Sequence, residues 1–230
     1  MTEVFVPGAP EIPISLRRSK RARRISLRVS RLDGRVTLTV PARVSEKEAL
    51  EFAQSKADWL VRNMSARPEA ESVTLGTELP FQGELLTVVA GQGRTVMRAD
   101  DELQVPGNPD RVGVRVQAYL KTEARNILAQ ACDVYTQALG RPYSKITLRD
   151  TRSRWGSCSS AGALMFSWRL VMAPEEVLHY VAAHEVAHLA QMNHSKAFWD
   201  EVARLFGPHQ AERNWLRQHG EKLHRYRFED

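Results

Sequence analysis

Val181-Ala182-Ala183-His184-Glu185-Val186-Ala187-His188-Leu189 is the stretch around which the rest of the chain is organised. It carries the pattern His-Glu-x-x-His within a segment that predicts a helix from residue 174 to about residue 190. Pro174 suits a first helical position, and Glu175 and Glu176 complement the positive end of the helix. Side chains four apart on a helix are separated by about 40° around the axis and about 6 Å along it. The imidazoles of His184 and His188 can therefore share one metal ion. Glu185 follows the first His, so its carboxylate can reach a water on that metal instead of the metal itself. Zinc lowers the pKa of such a water to about 7, and the carboxylate can take its proton as the water attacks.

A purely structural reading of the same residues fares worse. Val181, Ala182, Val186, Ala187 and Leu189 make the segment apolar nearly all round, which implies a buried helix. Two His and a Glu there without a ligand would leave three polar groups to satisfy, each at a cost on the order of kcal/mol. A metal removes that problem, and the segment implies a metal-dependent hydrolase.

Catalytic zinc usually has three protein ligands and one open position. His194 is the first candidate for the third. In a continued helix it would point about 120° away from His188 and sit roughly 9 Å further along, so the helix must end between them. Leu189 and Ala190 are good helix formers, which places the turn around Gln191 to Asn193. Asn193 or a neighbour is then expected in a left-handed or otherwise non-helical conformation, with Ser195 capping the next helix. The second candidate is a downstream carboxylate, Glu212 ahead of Glu201, although Glu212 beside Arg213 could equally be a surface ion pair.

Helical spacing from Val112 through Val116, Leu120, Ala124, Ile127, Leu128, Ala131 and Val134 or Tyr135 predicts a long helix opened by Asn108-Pro109 and stopped by Gly140. Residues 146–148 and 163–171 read as strands around a turn-rich loop containing Arg154-Trp155-Gly156-Ser157-Cys158, and residues 196–206 and 210–217 as helices. Trp155 and Cys158 can simply cover core. Towards the start, residues 1–10 read as a loose leader. Alternation predicts strands over 12–16, 25–29 and 36–40, with Asp33-Gly34 as a hairpin turn. Ser45 and Glu48 form a capping box opening one helix through Leu60, and short strands follow around 79–81, 85–89 and 96–98. The fold class expected is α+β: a mostly antiparallel β domain with one helix over residues 1–107, then a small catalytic domain over 108–230 built around the motif helix.

The chain has 230 residues and a net charge of +6. No run of about 18 apolar residues suggests a membrane span, and the first fourteen residues hold no apolar signal core. Cys132 and Cys158 lack C-x-x-C spacing. A cytoplasmic protein without membrane contact is expected, and no internal repeat is visible. Arg17, Arg18, Lys20, Arg21, Arg23, Arg24, Arg28 and Arg31 form a basic run over residues 17–31. It is either a footprint for weak nucleic-acid contact or the solvated face of a hairpin. The absence of interleaved aromatic residues favours the latter.

Arg154-Trp155-Gly156-Ser157-Cys158, Trp168-Arg169-Leu170, Met172-Ala173-Pro174, the His184 to His188 motif and Asn193-His194-Ser195 together resemble the YgjP-like family of predicted metal-dependent hydrolases. That family is similar to the SprT group of zincin-like metallopeptidases. The resemblance spans most of the chain and is strongest from about residue 146 to 199. It implies a zincin-like catalytic domain, zinc ligands at His184, His188 and His194, and a general base at Glu185. Phe198 and Trp199 fit the family's segment after the third His, and Trp215-Leu216 its last helix. His209 stands where the family tends to carry Tyr, which leaves the transition-state stabiliser open. A nucleotide pyrophosphatase activity has also been attached to the group.

Three functions are compatible with these residues. The first is a zinc metallopeptidase acting on a peptide or protein substrate, with a peptide adding to the strand at 163–171. The second is a metal-dependent phosphoanhydride hydrolase using Arg152 or Arg154 on phosphate, though no Gly-rich phosphate loop supports it. The third is a nucleic-acid-associated protease positioned by the basic hairpin.

Overall fold

Alternating apolar and polar residues build the first sheet. A computed structural model describes residues 2–29, 35–65 and 70–229. β1 (Thr2–Val6) and β2 (Ala9–Ser19) pair antiparallel across Pro7-Gly8, where Gly8 takes the φ of +87° that a type II turn requires. The leader expected over residues 1–10 is thus a hairpin, because Val6 and Ala9 are buried. β3 (Ser26–Val29) pairs antiparallel with β4 (Val36–Pro41), as the alternation predicts; the Asp33-Gly34 turn lies outside the described residues. β2 runs parallel to β4, giving the order β1-β2-β4-β3.

Ser45 caps α1 (Glu46–Gln54), its Oγ accepting from the Glu48 amide at 3.2 Å. The single helix expected here breaks at Ser55 and Lys56. The Ser55 hydroxyl donates to the Phe52 carbonyl at 2.8 Å, and the Lys56 amide bonds three residues back to Ala53. This tightening ends the α-helical ladder before α2 (Ala57–Ser65). Ala49, Ala53, Ala57 and Leu60 share one core with Ile14, Val36, Leu38 and Val40. Arg17, Arg18, Lys20, Arg21, Arg23, Arg24 and Arg28 are all exposed, and Arg31 lies outside the described residues.

A short β5 (Glu71–Ser72) opens the rest of the chain. β6 (Glu78–Phe81), β7 (Glu84–Gly91), β8 (Met97–Ala99) and β9 (Glu102–Pro106) form a sheet in the order β6-β7-β9-β8. Here too a parallel central pair lies between two antiparallel ones. This repeats the first sheet's topology. Both β4 and β9 end on Leu-x-Val-Pro, Leu38 to Pro41 and Leu103 to Pro106, and a capping Ser45 or Asn108 follows. The repeat escapes a sequence reading because the hairpin arms differ in length and little else is shared.

Asn108 caps a 3-10 turn at Pro109–Arg111, which runs into α3 (Val112–Leu139). Gly140 stops α3 with φ +72°. Val116, Leu120, Ala124, Leu128 and Ala131 form its buried stripe, while Val134 is exposed and Tyr135 buried. β10 (Lys145–Arg149), β11 (Gly156–Cys158) and β12 (Ala163–Ser167) make a three-stranded sheet in the order β10-β12-β11. The strand expected to reach residue 171 ends at Ser167, and Trp168–Met172 turn into a buried 3-10 helix. Arg169 fastens that turn. Its guanidinium makes two bonds to the Asp150 carboxylate, at 2.7 and 3.0 Å, and two to the carbonyls of Leu223 and Tyr226. α4 (Glu175–Ala187), α5 (Lys196–Leu205) and α6 (Gln210–His219) follow, and β13 (Tyr226–Arg227) returns to pair with β5.

The compact units are Met1–Glu69 and Ala70–Asp230, so the division expected after residue 107 falls inside the second. The reason is shared core: Leu86, Val88, Leu103 and Val105 pack in one cluster with α3, α4 and Phe166. Among the described residues no helix is long and apolar enough to cross a membrane.

Candidate metal centre

α4 is buried on nearly every side: Val177, Leu178, Tyr180, Val181, Ala182, Ala183, Val186 and Ala187 are all buried. Its α-helical span ends at Ala187, earlier than the residue composition predicts. His188 keeps helical angles as the C-cap, and the Leu189 and Ala190 amides then bond three residues back. This tightening brings the Gln191 carbonyl to 2.9 Å from His188 Nδ1. With Nδ1–H donating to that carbonyl, the Nε2 lone pair of His188 is free for a metal, an arrangement typical of metal-binding imidazoles.

The chain then turns back without a left-handed residue at Asn193; the non-glycine residues at positive φ among those described are Gln82 and Asp100. Asn193 acts through its side chain, Oδ1 accepting from the Ser195 amide at 3.1 Å. This local turn carries His194 back towards α4, and α5 begins at Lys196. Ser195 is extended, as a cap should be, but its hydroxyl makes no capping bond.

His194 Nε2 comes to 3.2 Å from His184 Nε2, and the ligand atoms of His184, His188 and His194 all lie within 4.8 Å of one another. Three nitrogens tetrahedrally placed about 2.0–2.1 Å from a zinc ion would be roughly 3.3–3.4 Å apart, a spacing that the His184 and His194 pair meets. His184 Nδ1 is buried without a partner. Burial and the neighbouring imidazoles push His184 down to about 3, and burial also lowers His188. Both rings are thereby held neutral, the form that binds metal. Phe198 packs against all three rings, at 4.9, 4.4 and 4.8 Å between centroids. Neither carboxylate considered for the third position joins the cluster. Glu201 accepts from Arg204, and Glu212 Oε2 is buried without a partner.

Glu185 is 5% exposed, and burial pushes its carboxyl up to about 8 against the opposing charge of Arg154. Gly156 of β11 makes room for it. A Cβ at position 156 would stand 2.5 Å from Glu185 Cγ and 2.6 Å from Oε1. The Arg-Trp-Gly-Ser-Cys segment is therefore one wall of the site. Trp155 packs on His224, and the same indole fills the space against Gly220. Burial and Glu185 raise the Cys158 thiol, the reverse of what an activated nucleophile needs.

Sequence reasoning missed two groups beside the cluster. Tyr180 is edge-on to His184 and stacks on His209 at 5.6 Å; Trp199 stacks on His209 at 5.4 Å, and Arg213 lies over Trp199. Tyr180 stands four residues before His184, a spacing that could have flagged it. Nothing local to α6 signals Arg213.

No curated protein matches the chain. Among solved structures, the metallopeptidase zymogen of Pyrococcus abyssi abylysin is similar over 41% of this chain and 94% of its own, with 23% identity and a TM-score of 0.33. The family described as YgjP-like, metallopeptidase domain matches residues 23–219, which takes in β3 and β4 of the first sheet, the whole β6-β7-β9-β8 sheet and the histidine cluster. Over that span the chain belongs to the YgjP-like family, and it is a metallopeptidase.

Proposed function

We propose that this is a zinc peptidase in which His184, His188 and His194 hold the metal and Glu185 is the general base. The observation that carries the reading is the buried Glu185 carboxylate, set beside three convergent imidazoles in a space that Gly156 leaves open. Zinc, when bound, supplies a Lewis acid and a water whose pKa is near 7. Glu185 takes the proton of the attacking water on a carboxylate oxygen and returns it to the departing amine nitrogen.

The peptide does not add to β12, the strand favoured on sequence grounds. β12 is central, bonded to β10 on one side and β11 on the other. β10 and β11 are the two edges, and β11 is the one that carries Gly156 and lies against Glu185. Trp155 and Ser159 bond to β12, so by alternation the main-chain groups of Gly156 and Cys158 point outward, free for a substrate backbone.

The test is to incubate zinc-loaded protein and its Glu185→Gln variant with a peptide library and a panel of nucleotides. Wild type should cleave peptides and leave nucleotides intact. The variant should keep its metal and lose about 10²–10⁴ in rate. Nucleotide hydrolysis with intact peptides would replace this reading by phosphoanhydride chemistry.

A further inference from the structure

His209 and Arg213 stand four residues apart at the start of α6, so they share one face of it. His209 stacks on Tyr180 of α4 and on Trp199 of α5, and the guanidinium carbon of Arg213 lies 5.0 Å from the centre of the Trp199 ring. Trp199 in turn contacts the rings of His184 and His194, each at 5.7 Å between centroids. Arg213 is thus one side chain removed from two of the three imidazoles, and its charge is felt at His184 and at Tyr180. Among the described residues no carboxylate pairs with it. Even the adjacent Glu212 makes no bond to it and keeps Oε2 buried without a partner. A guanidinium with no counter-charge, held beside a site suited to a dication, is repelled by that dication until an anion stands between them.

The hydrolysis proposed above creates such an anion, and this inference rests on that reading. As the water oxygen bonds to the scissile carbon, the carbonyl π pair moves onto the carbonyl oxygen and the water's proton goes to Glu185. The pair returns as the C–N bond breaks, and the departing nitrogen takes the proton. We propose that Arg213 is a catalytic residue of this peptidase, its guanidinium donating to the carbonyl oxygen while that oxygen carries negative charge. The contact with Trp199 holds the guanidinium in place beforehand, so little reorganisation is needed as the charge develops. The neighbouring groups are less suited. His209 Nδ1 lies 3.2 Å from the Gly207 carbonyl, which can only accept, so in the neutral ring Nε2 holds a lone pair and cannot donate. Tyr180 is 5% exposed, with His209 and Phe206 packed on its ring. The charge of Arg154 falls on Glu185, the side of the base, whereas that of Arg213 falls on His184.

The test compares the zinc-loaded full chain with its Arg213→Gln and Arg213→Lys variants, zinc content and urea unfolding serving as checks on the fold. Two ligands of one sequence are used: a peptide that wild type cleaves, and its phosphinic analogue, in which an anionic tetrahedral group replaces the scissile amide. Turnover gives kcat and KM for the peptide. Calorimetry gives Kd for the analogue on each protein, and for the peptide on the Glu185→Gln protein with and without the Arg213 change. Arg213→Gln should keep its zinc, lose about 10²–10³ in kcat with KM near the wild-type value, and bind the analogue more weakly by a similar factor. Peptide binding to the Glu185→Gln protein should not change. Arg213→Lys, which keeps the charge without the planar fork, should fall between. If Arg213→Gln does not fold, Arg213→Lys decides alone, by losing about 10-fold in affinity for the analogue and none for the peptide. Unchanged affinity for the analogue, or an equal loss for both ligands, would overturn the role of Arg213 while leaving the peptidase reading intact. A wild type that cleaves no peptide would overturn both.

Discussion

Gly156→Ala isolates the packing between β11 and the Glu185 carboxylate proposed as the base. Gly156 is not among the residues at positive φ, so alanine is permitted by the backbone and the whole perturbation is steric. The new methyl would sit 2.5 Å from Glu185 Cγ, 2.8 Å from Cδ and 2.6 Å from Oε1. Ordinary contact needs nearly 1 Å more, and Glu185 at 5% exposure has little free space to take up the shift. Overpacking of this kind costs about 1–3 kcal/mol in stability. A misplacement of about 1 Å in a catalytic group costs about 10²-fold in rate, and complete loss of the base as much as about 10⁴. In barrier terms these are about 2.7 and 5.4 kcal/mol. The three imidazoles are untouched by the methyl, so zinc stoichiometry should stay at the wild-type value. The assay pairs kcat/KM on any cleaved peptide with metal analysis and urea unfolding, with Glu185→Gln as the limiting case. If Gly156→Ala turned over at near wild-type rate, either Glu185 is not the base or its position is not set by β11.

Three further outcomes are expected. His194→Ala should lose tightly bound zinc, along with the roughly 2.7 kcal/mol of stabilisation that the ion confers at about 100 times its Kd; undiminished zinc would give the third position to Glu212 or another group. His224, pushed down to about 4 chiefly by burial, titrates below its unfolded value near 6.5, so its neutral form contributes fully above about pH 6.5 and that contribution fades as pH falls towards 4. The total is about 3 kcal/mol, and His224→Phe, which keeps a ring against Trp155, should flatten urea-unfolding stability over that window; an unchanged slope would refute the assignment. Replacing the exposed Arg17, Arg18, Arg21 and Arg24 with Gln should abolish any weak, salt-sensitive oligonucleotide binding, whereas equal binding by variant and wild type at low salt would leave the basic run a solvated face.

The sequence by itself determined what depends on neighbours along the chain. The His184 and His188 pair, the burial of α4, the Ser45 cap, the Asn108-Pro109 start and the Gly140 stop of α3 all follow from periodicity and from unsatisfied helix ends, which act within four or five residues. It also required a break before His194, because an unbroken helix would carry that ring away. How the break is made was decided in three dimensions. The Gln191 carbonyl accepts from His188, and the Asn193 side chain, not its backbone, turns the chain. The sheet order was equally beyond local reach, since parallel pairs such as β2 with β4 and β10 with β12 join residues about twenty positions apart. For the same reason the unit boundary at residue 69 could not be read from composition: Leu103 and Val105 look like any strand until they share a core with α3 and α4. Gly156 makes the point at the site itself. In sequence it is one glycine in a turn-rich loop, and only packing against Glu185 gives its missing side chain a role.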